Sequence, residues 1–146
     1  MRALDYPPVW LAGFLALAWV QDRLVPMGEP GAFLWPGTLL ALAGLALMAA
    51  ALPEFLRRRT TIVPHRMPSA LITGGVYRFT RNPIYLGDAL LLVGLVLRWG
   101  AWPSLILVPA FVAVITVRFI LPEEARLRAA FGKAFDDWSA RTRRWI

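Results

Sequence analysis

The chain has 146 residues, of which 58% are hydrophobic and only 17% charged, a balance outside the range of ordinary soluble domains. Its formal net charge of +7 rests almost wholly on arginines placed between and after long apolar runs, which points to membrane orientation and away from nucleic acid. Cysteine is absent and His65 is the lone histidine, which excludes disulfides, thiolate metal sites and cysteine nucleophiles and leaves no partner for a histidine-bound metal.

Four apolar segments follow in chain order. The first, Pro7 to Pro26, is clean only from Val9 to Val20 and is then interrupted by Gln21, Asp22 and Arg23. Its core is short for a membrane span, but Asp5 stands in what would be the basic region of a signal peptide and no small-x-small cleavage motif follows. A retained first helix is therefore expected. The second, Ala32 to Leu52, is long enough to span, and its Gly and Ala spacing suits close helix packing. The third, Ile84 to Trp99, carries Asp88. The fourth, Ala101 to Leu121, contains Pro103 and Pro109 and ends near Arg118. Only Gly100 separates the last two, which predicts a tight antiparallel hairpin.

Arginine placement sets the orientation. Arg57, Arg58, Arg59, Arg66, Arg78 and Arg81 lie between the second and third segments, and Arg126, Arg128, Lys133, Arg141, Arg143 and Arg144 lie after the fourth. The opposite loops hold only Arg23 and Arg98. Positive charge marks the cytoplasmic side, so both termini and the central loop are expected there. In the tail, Leu127, Ala130, Phe131, Ala134, Phe135 and Trp138 recur every three or four residues and draw one apolar stripe. The pattern predicts an all-α integral membrane protein of about four transmembrane helices plus a C-terminal amphipathic interfacial helix.

Two polar groupings interrupt this pattern. The first is TGGVYRFTRNPIYLG, Thr73 to Gly87. Taken singly its residues have structural explanations: Asn82 suits an N-cap, Pro83 a first helical position, and the glycines a turn. Taken together, Asn82, Tyr85 and Asp88 recur on one face of a membrane helix, and an intramembrane acid is a functional candidate by default. The second grouping is Pro122-Glu123-Glu124. The acids complement a helix dipole, and Glu124 has Arg128 one turn on; equally, paired carboxylates suit a cationic ligand or the hydroxyls of a ribose. GGVYR lacks the phosphate-loop pattern, and no serine lies in a nucleophile motif with His65.

The ordered series Thr-Gly-Gly-Val-Tyr, Arg-Asn-Pro-Ile-Tyr-Leu-Gly, a helical hairpin, Glu-Glu and Leu-Arg-Ala-Ala-Phe-Gly-Lys-Ala-Phe-Asp-Asp-Trp resembles the isoprenylcysteine carboxyl methyltransferase and phospholipid methyltransferase family of integral membrane enzymes. The resemblance covers roughly Thr60 to Ile146. It implies one membrane domain over 1–146, with an N-terminal helical hairpin at 1–59 and a cofactor-binding core at 60–146. It implies S-adenosyl-L-methionine as cofactor, held at the cytoplasmic boundary by Gly75, Tyr77, Arg81, Asn82, Pro83, Tyr85, Glu123 and Glu124, with Arg81 or Arg78 for its carboxylate. The acceptor is then a lipophilic small molecule or lipid arriving from the bilayer, with Tyr85 positioning the reactants and Arg118 orienting an anionic acceptor. Asn82 stands where the eukaryotic carboxyl methyltransferases have His, so a titratable group is missing there. The competing reading is a non-catalytic small membrane protein, an assembly factor or oligomeric transporter subunit, which leaves the two polar groupings unexplained.

Overall fold

The computed structural model describes residues 6–29, 31–58 and 69–146; Arg59, His65 and Arg66 of the central loop lie outside the described residues. Helix α1 (Pro7–Leu24) opens on two prolines, whose fixed φ suits a first turn and whose missing N–H groups would have no partner there. The Gln21-Asp22-Arg23 triplet does not interrupt it. Val25 N–H closes the helix on the Gln21 carbonyl, and Gln21 Oε1 accepts a bond of 2.7 Å from Ser104 Oγ. Helix α2 (Leu34–Arg58) runs past the expected end at Leu52 and through Pro53. Proline removes one helical bond, but Ala51 and Glu54, buried on either side of it, hold these last turns against the rest of the chain.

Helix α3 (Pro83–Trp99) stops where Gly100 turns left-handed at φ 77°, a conformation glycine takes without penalty. A single rod then runs from Trp102 to Phe131. It begins as a 3₁₀ turn (Trp102–Ile106), continues as α4 (Leu107–Ile115), widens to a π turn (Thr116–Ile120), and goes on as α5 (Leu121–Phe131). The π turn has a local cause. Leu121 N–H reaches back five residues to the Thr116 carbonyl, and Pro122 beside it has no N–H to continue an ordinary ladder.

The tail differs from the expectation of one amphipathic helix. Gly132, at φ 48°, breaks it: α5 belongs to the rod, and a separate α6 (Lys133–Arg141) turns back onto the bundle. Phe135 and Trp138 are buried there, while Ala130 and Ala134 of the expected stripe are exposed.

Among the described residues, α2 and the Trp102–Phe131 rod, of 25 and 30 residues, are long and apolar enough to cross a membrane. Their surfaces agree with that. On α2 the leucines at 39, 42, 45, 52 and 56 are exposed, whereas Gly37, Ala41, Gly44 and Ala51 are buried. Such a surface is stable where the solvent is lipid, and helix association then depends on close van der Waals packing of small residues. The α2–α3 contact shows that packing. A Cβ added to Gly44 would lie 2.5 Å from the Gly87 carbonyl oxygen, and one added to Gly94 would lie 2.5 Å from the Ala41 nitrogen. The Gly and Ala spacing of the second segment is thus helix-packing material, as the sequence suggests.

Two apolar clusters divide the interior. One joins α1, α3 and the rod through Leu11, Ala18, Leu92, Val96, Phe111 and Ile115. The other lies where α2 ends and α6 docks, and contains Ala51, Ile72, Tyr77, Phe135 and Trp138. Of the residues singled out in the sequence, Tyr77 belongs to this second cluster and Tyr85 packs against the first.

Candidate functional site

The site draws on four stretches, the end of α2, a 3₁₀ turn at Gly75–Arg78, the start of α3, and the first turn of α5, joined by contacts of Gly75 with Glu54, Tyr85 with Glu123 and Arg81 with Glu124. Gly75 has φ +54° and lies over the carboxylate of Glu54. A Cβ at this position would sit 2.6 Å from Glu54 Oε1, so the turn needs glycine both for its backbone and for the acid beneath it. Tyr77 follows, buried, its ring edge-on to Phe55 at 6.0 Å. Burial pushes its phenol well above the usual range, and the negative charges of Glu123 and Glu54 push it further. Tyr77 therefore stays a neutral hydroxyl.

On α3, Pro83 is buried at the first helical position and Tyr85 points toward α5. Tyr85 Oη donates to Glu123 Oε2 at 3.3 Å, long for a hydroxyl–carboxylate bond and so a loose one. It joins residues 38 apart in sequence. Asp88, one turn further on, is 5% exposed. The expected polar face of α3 is thus turned inward.

Glu124 has a different environment from Glu123. Arg144 grips it with two bonds, Nε to Oε1 at 2.9 Å and Nη2 to Oε2 at 2.8 Å, and Arg81 Nη2 stands 3.4 Å from Oε1. This forked geometry is the strong form of a charge-assisted pair. The hydrogen bond to Glu124 raises the Arg144 guanidinium further above its ordinary value. At Arg81 burial lowers the value and Glu124 opposes it. Arg128, the partner expected for Glu124 from sequence, instead bonds Asp136 at 2.8 Å and stacks on Phe135.

The tail after α6 passes across the start of α3. Arg81 N–H donates to the Arg143 carbonyl at 2.9 Å, and Thr80 pairs with Arg143 in a parallel β-bridge. Asn82 occupies the N-cap position but makes no side-chain cap; its Nδ2 donates to the Arg144 carbonyl at 2.9 Å. Trp145 Nε1 then donates to Thr116 Oγ1 in the π turn at 3.1 Å. The asparagine is spent on holding the tail.

Of the residues nominated from sequence, Gly75, Tyr77, Arg81, Asn82, Pro83, Tyr85, Glu123 and Glu124 thus gather around the start of α3. Arg118 lies in the π turn with its guanidinium 5.3 Å from the Trp10 ring of α1. Arg78 is exposed, whereas the Arg81 side chain is 13% exposed, so of the two arginines considered for a ligand carboxylate Arg81 is the enclosed one. Sequence reading missed Glu54 and Arg144. Glu54 is an acid at the end of an apolar span, a usable signal, but Arg144 is one of several tail arginines that nothing local distinguishes.

The family model described as phospholipid methyltransferase matches residues 32–134. The match takes in α2, which the resemblance read from sequence left out, and stops short of Trp138 and the tail. No curated protein and no solved structure matches the chain.

Proposed function

The chain belongs to the phospholipid methyltransferase family, and from that premise we propose that it is an S-adenosylmethionine-dependent methyltransferase acting on a lipophilic acceptor at the cytoplasmic membrane interface. Family membership itself implies a methyltransferase acting on a lipid-type substrate. The observation that carries the finer reading is the Tyr85–Glu123 bond, which joins the opening of α3 to the acid pair.

The residues fit such a cofactor. Arg81 Nε is buried and has no partner among the described residues, a donor suited to a carboxylate. Glu123 offers acceptors for an ammonium or for hydroxyls, and Glu54 adds a second carboxylate beneath the Gly74-Gly75 turn. When bound, S-adenosylmethionine supplies an electrophilic methyl group on a sulfonium. The chain's own task is then to hold donor and acceptor in line and to exclude water, which asks for no covalent nucleophile. Tyr77 and Tyr85 provide hydroxyls and aromatic walls, and Tyr85 is braced by Glu123. Glu124, Arg144 and the tail hold Arg81 in place. Arg118 is our assignment for an anionic head group.

In this reading α1 and α3 cross the membrane with α2 and the rod, and both termini are cytoplasmic, as the arginine distribution favours. The acceptor enters from the bilayer and the cofactor from the cytosol. Thermal unfolding of the detergent-purified chain with S-adenosylhomocysteine tests the proposal. Ligand at a hundredfold its dissociation constant stabilises by about 2.7 kcal/mol. A melting temperature that does not move at millimolar ligand refutes it.

A further inference from the structure

Asp88 is a buried polar residue that the site as built does not use. It lies on α3 three residues beyond Tyr85, is 5% exposed, and its helix neighbours Ala89 and Leu92 belong to the apolar cluster. It has neither hydrogen bond nor ion pair among the described residues. Cations on the surrounding elements are engaged with other groups: Arg81 and Arg144 with Glu124, Arg118 over Trp10, and Arg98 with Thr38. Removing a carboxylate from water without a partner is strongly unfavourable, and a polar side chain in an apolar bundle faces its interior or a ligand. Asp88 lies one turn beyond Tyr85 on the same face of α3, and Tyr85 in turn bonds Glu123. Two acids and the phenol between them therefore follow one another from the first turn of α5 along α3 into the bundle.

We propose that Asp88 and Tyr85 form a subsite for an onium cation, a weakly hydrated positive group with an alkyl surface. A carboxylate meets such a group by charge, and an aromatic face meets it through its quadrupole. Hard, strongly hydrated cations are disfavoured by the apolar surroundings, and among the described residues no group of acids is assembled to hold a metal ion. The subsite rests on the methyltransferase reading, in which two onium groups are available: the sulfonium of the donor and the ammonium of a lipid head group.

Calorimetry on the purified full chain separates these sources. The donor arm compares S-adenosylmethionine with its neutral counterpart S-adenosylhomocysteine. The acceptor arm, with S-adenosylhomocysteine bound, compares dihexanoylphosphatidylethanolamine with dihexanoylphosphatidylglycerol. Asp88→Asn is expected to weaken one cationic ligand roughly ten- to a hundredfold, the loss of a charge-assisted contact, while S-adenosylhomocysteine stays within about twofold. Asp88→Glu keeps the preference. Loss in the donor arm assigns the sulfonium, and loss in the acceptor arm the ammonium. Equal affinities before and after Asp88→Asn in both arms overturn the subsite while leaving the cofactor reading standing. A wild-type chain that binds neither adenosyl ligand overturns both. Should Asp88→Asn not fold, the wild-type preferences decide: no preference for the onium-bearing member of either pair refutes the subsite.

Discussion

Glu123 and Glu124 are adjacent, yet their substitution by glutamine should move different observables. Glu124 accepts two bonds from Arg144 at 2.9 and 2.8 Å, and its side chain is 10% exposed. Glutamine keeps one acceptor and turns an amide N–H₂ toward a guanidinium. Hydrogen bonds to charged groups contribute about 1.5–3 kcal/mol. The Arg144 side chain is 38% exposed, so water compensates part of the loss. A net destabilisation of about 2 kcal/mol follows, or a melting temperature lowered by roughly 4–8 °C. Glu123 accepts a bond of 3.3 Å from Tyr85, long for its kind, so its glutamine variant should lower the melting temperature by less than the Glu124 variant does. Affinities for S-adenosylhomocysteine should rank the opposite way. Glu123→Gln loses about tenfold or more through a missing charged acceptor, while Glu124→Gln, measured well below its melting temperature, loses less. Differential scanning fluorimetry and calorimetry on both variants check this. If Glu124→Gln leaves the melt unchanged and abolishes binding, Glu124 is the ligand-facing acid and the latch role is wrong.

Three further outcomes are expected. Gly94→Ala places a methyl 2.5 Å from the Ala41 nitrogen and 2.6 Å from the Gly37 carbonyl oxygen, so detergent unfolding should show about 1–3 kcal/mol of overpacking; an unchanged melt would mean α2 and α3 are less closely packed. Trp145→Phe removes the 3.1 Å bond to Thr116 and should cost about 1 kcal/mol, whereas Arg128→Ala, which breaks an exposed pair, should cost less. A reporter fused after Ile146 should be active in the cytoplasm, and activity only on the opposite side would refute the proposed topology.

The helices were legible because each depends on local chemistry, apolar runs, prolines at first turns and Gly100 as a stop, whereas α2 and the rod run on past their expected ends at Leu52 and Leu121 to Arg58 and Phe131. The same locality explains the misses. Gly132 breaks the tail although the apolar stripe runs through it, since a stripe records which faces are apolar and not whether the backbone between them stays helical. The π turn is invisible in composition; it arises where Pro122 withholds an N–H inside a rod that packing keeps continuous. Asn82 reads as a cap, and only the returning tail supplies the carbonyl that competes for its side chain.

For the site, the sequence by itself determined which residue types are present and that Asn82, Tyr85 and Asp88 share a helix face. It also carried the ordered motif that the family match extends to α2. Only the tertiary structure decided which carboxylate does what. Glu123 and Glu124 are next to each other in the chain, but successive helical residues point about 100° apart. One therefore meets Tyr85 across the bundle and the other meets Arg144 on the tail. Glu54 enters beneath the glycine turn for the same reason. Charge pairing depends on distance in space, and Arg144, 20 residues from Glu124 in sequence, is brought to 2.8 Å from it by the packing of helices whose own sequences do not encode it locally.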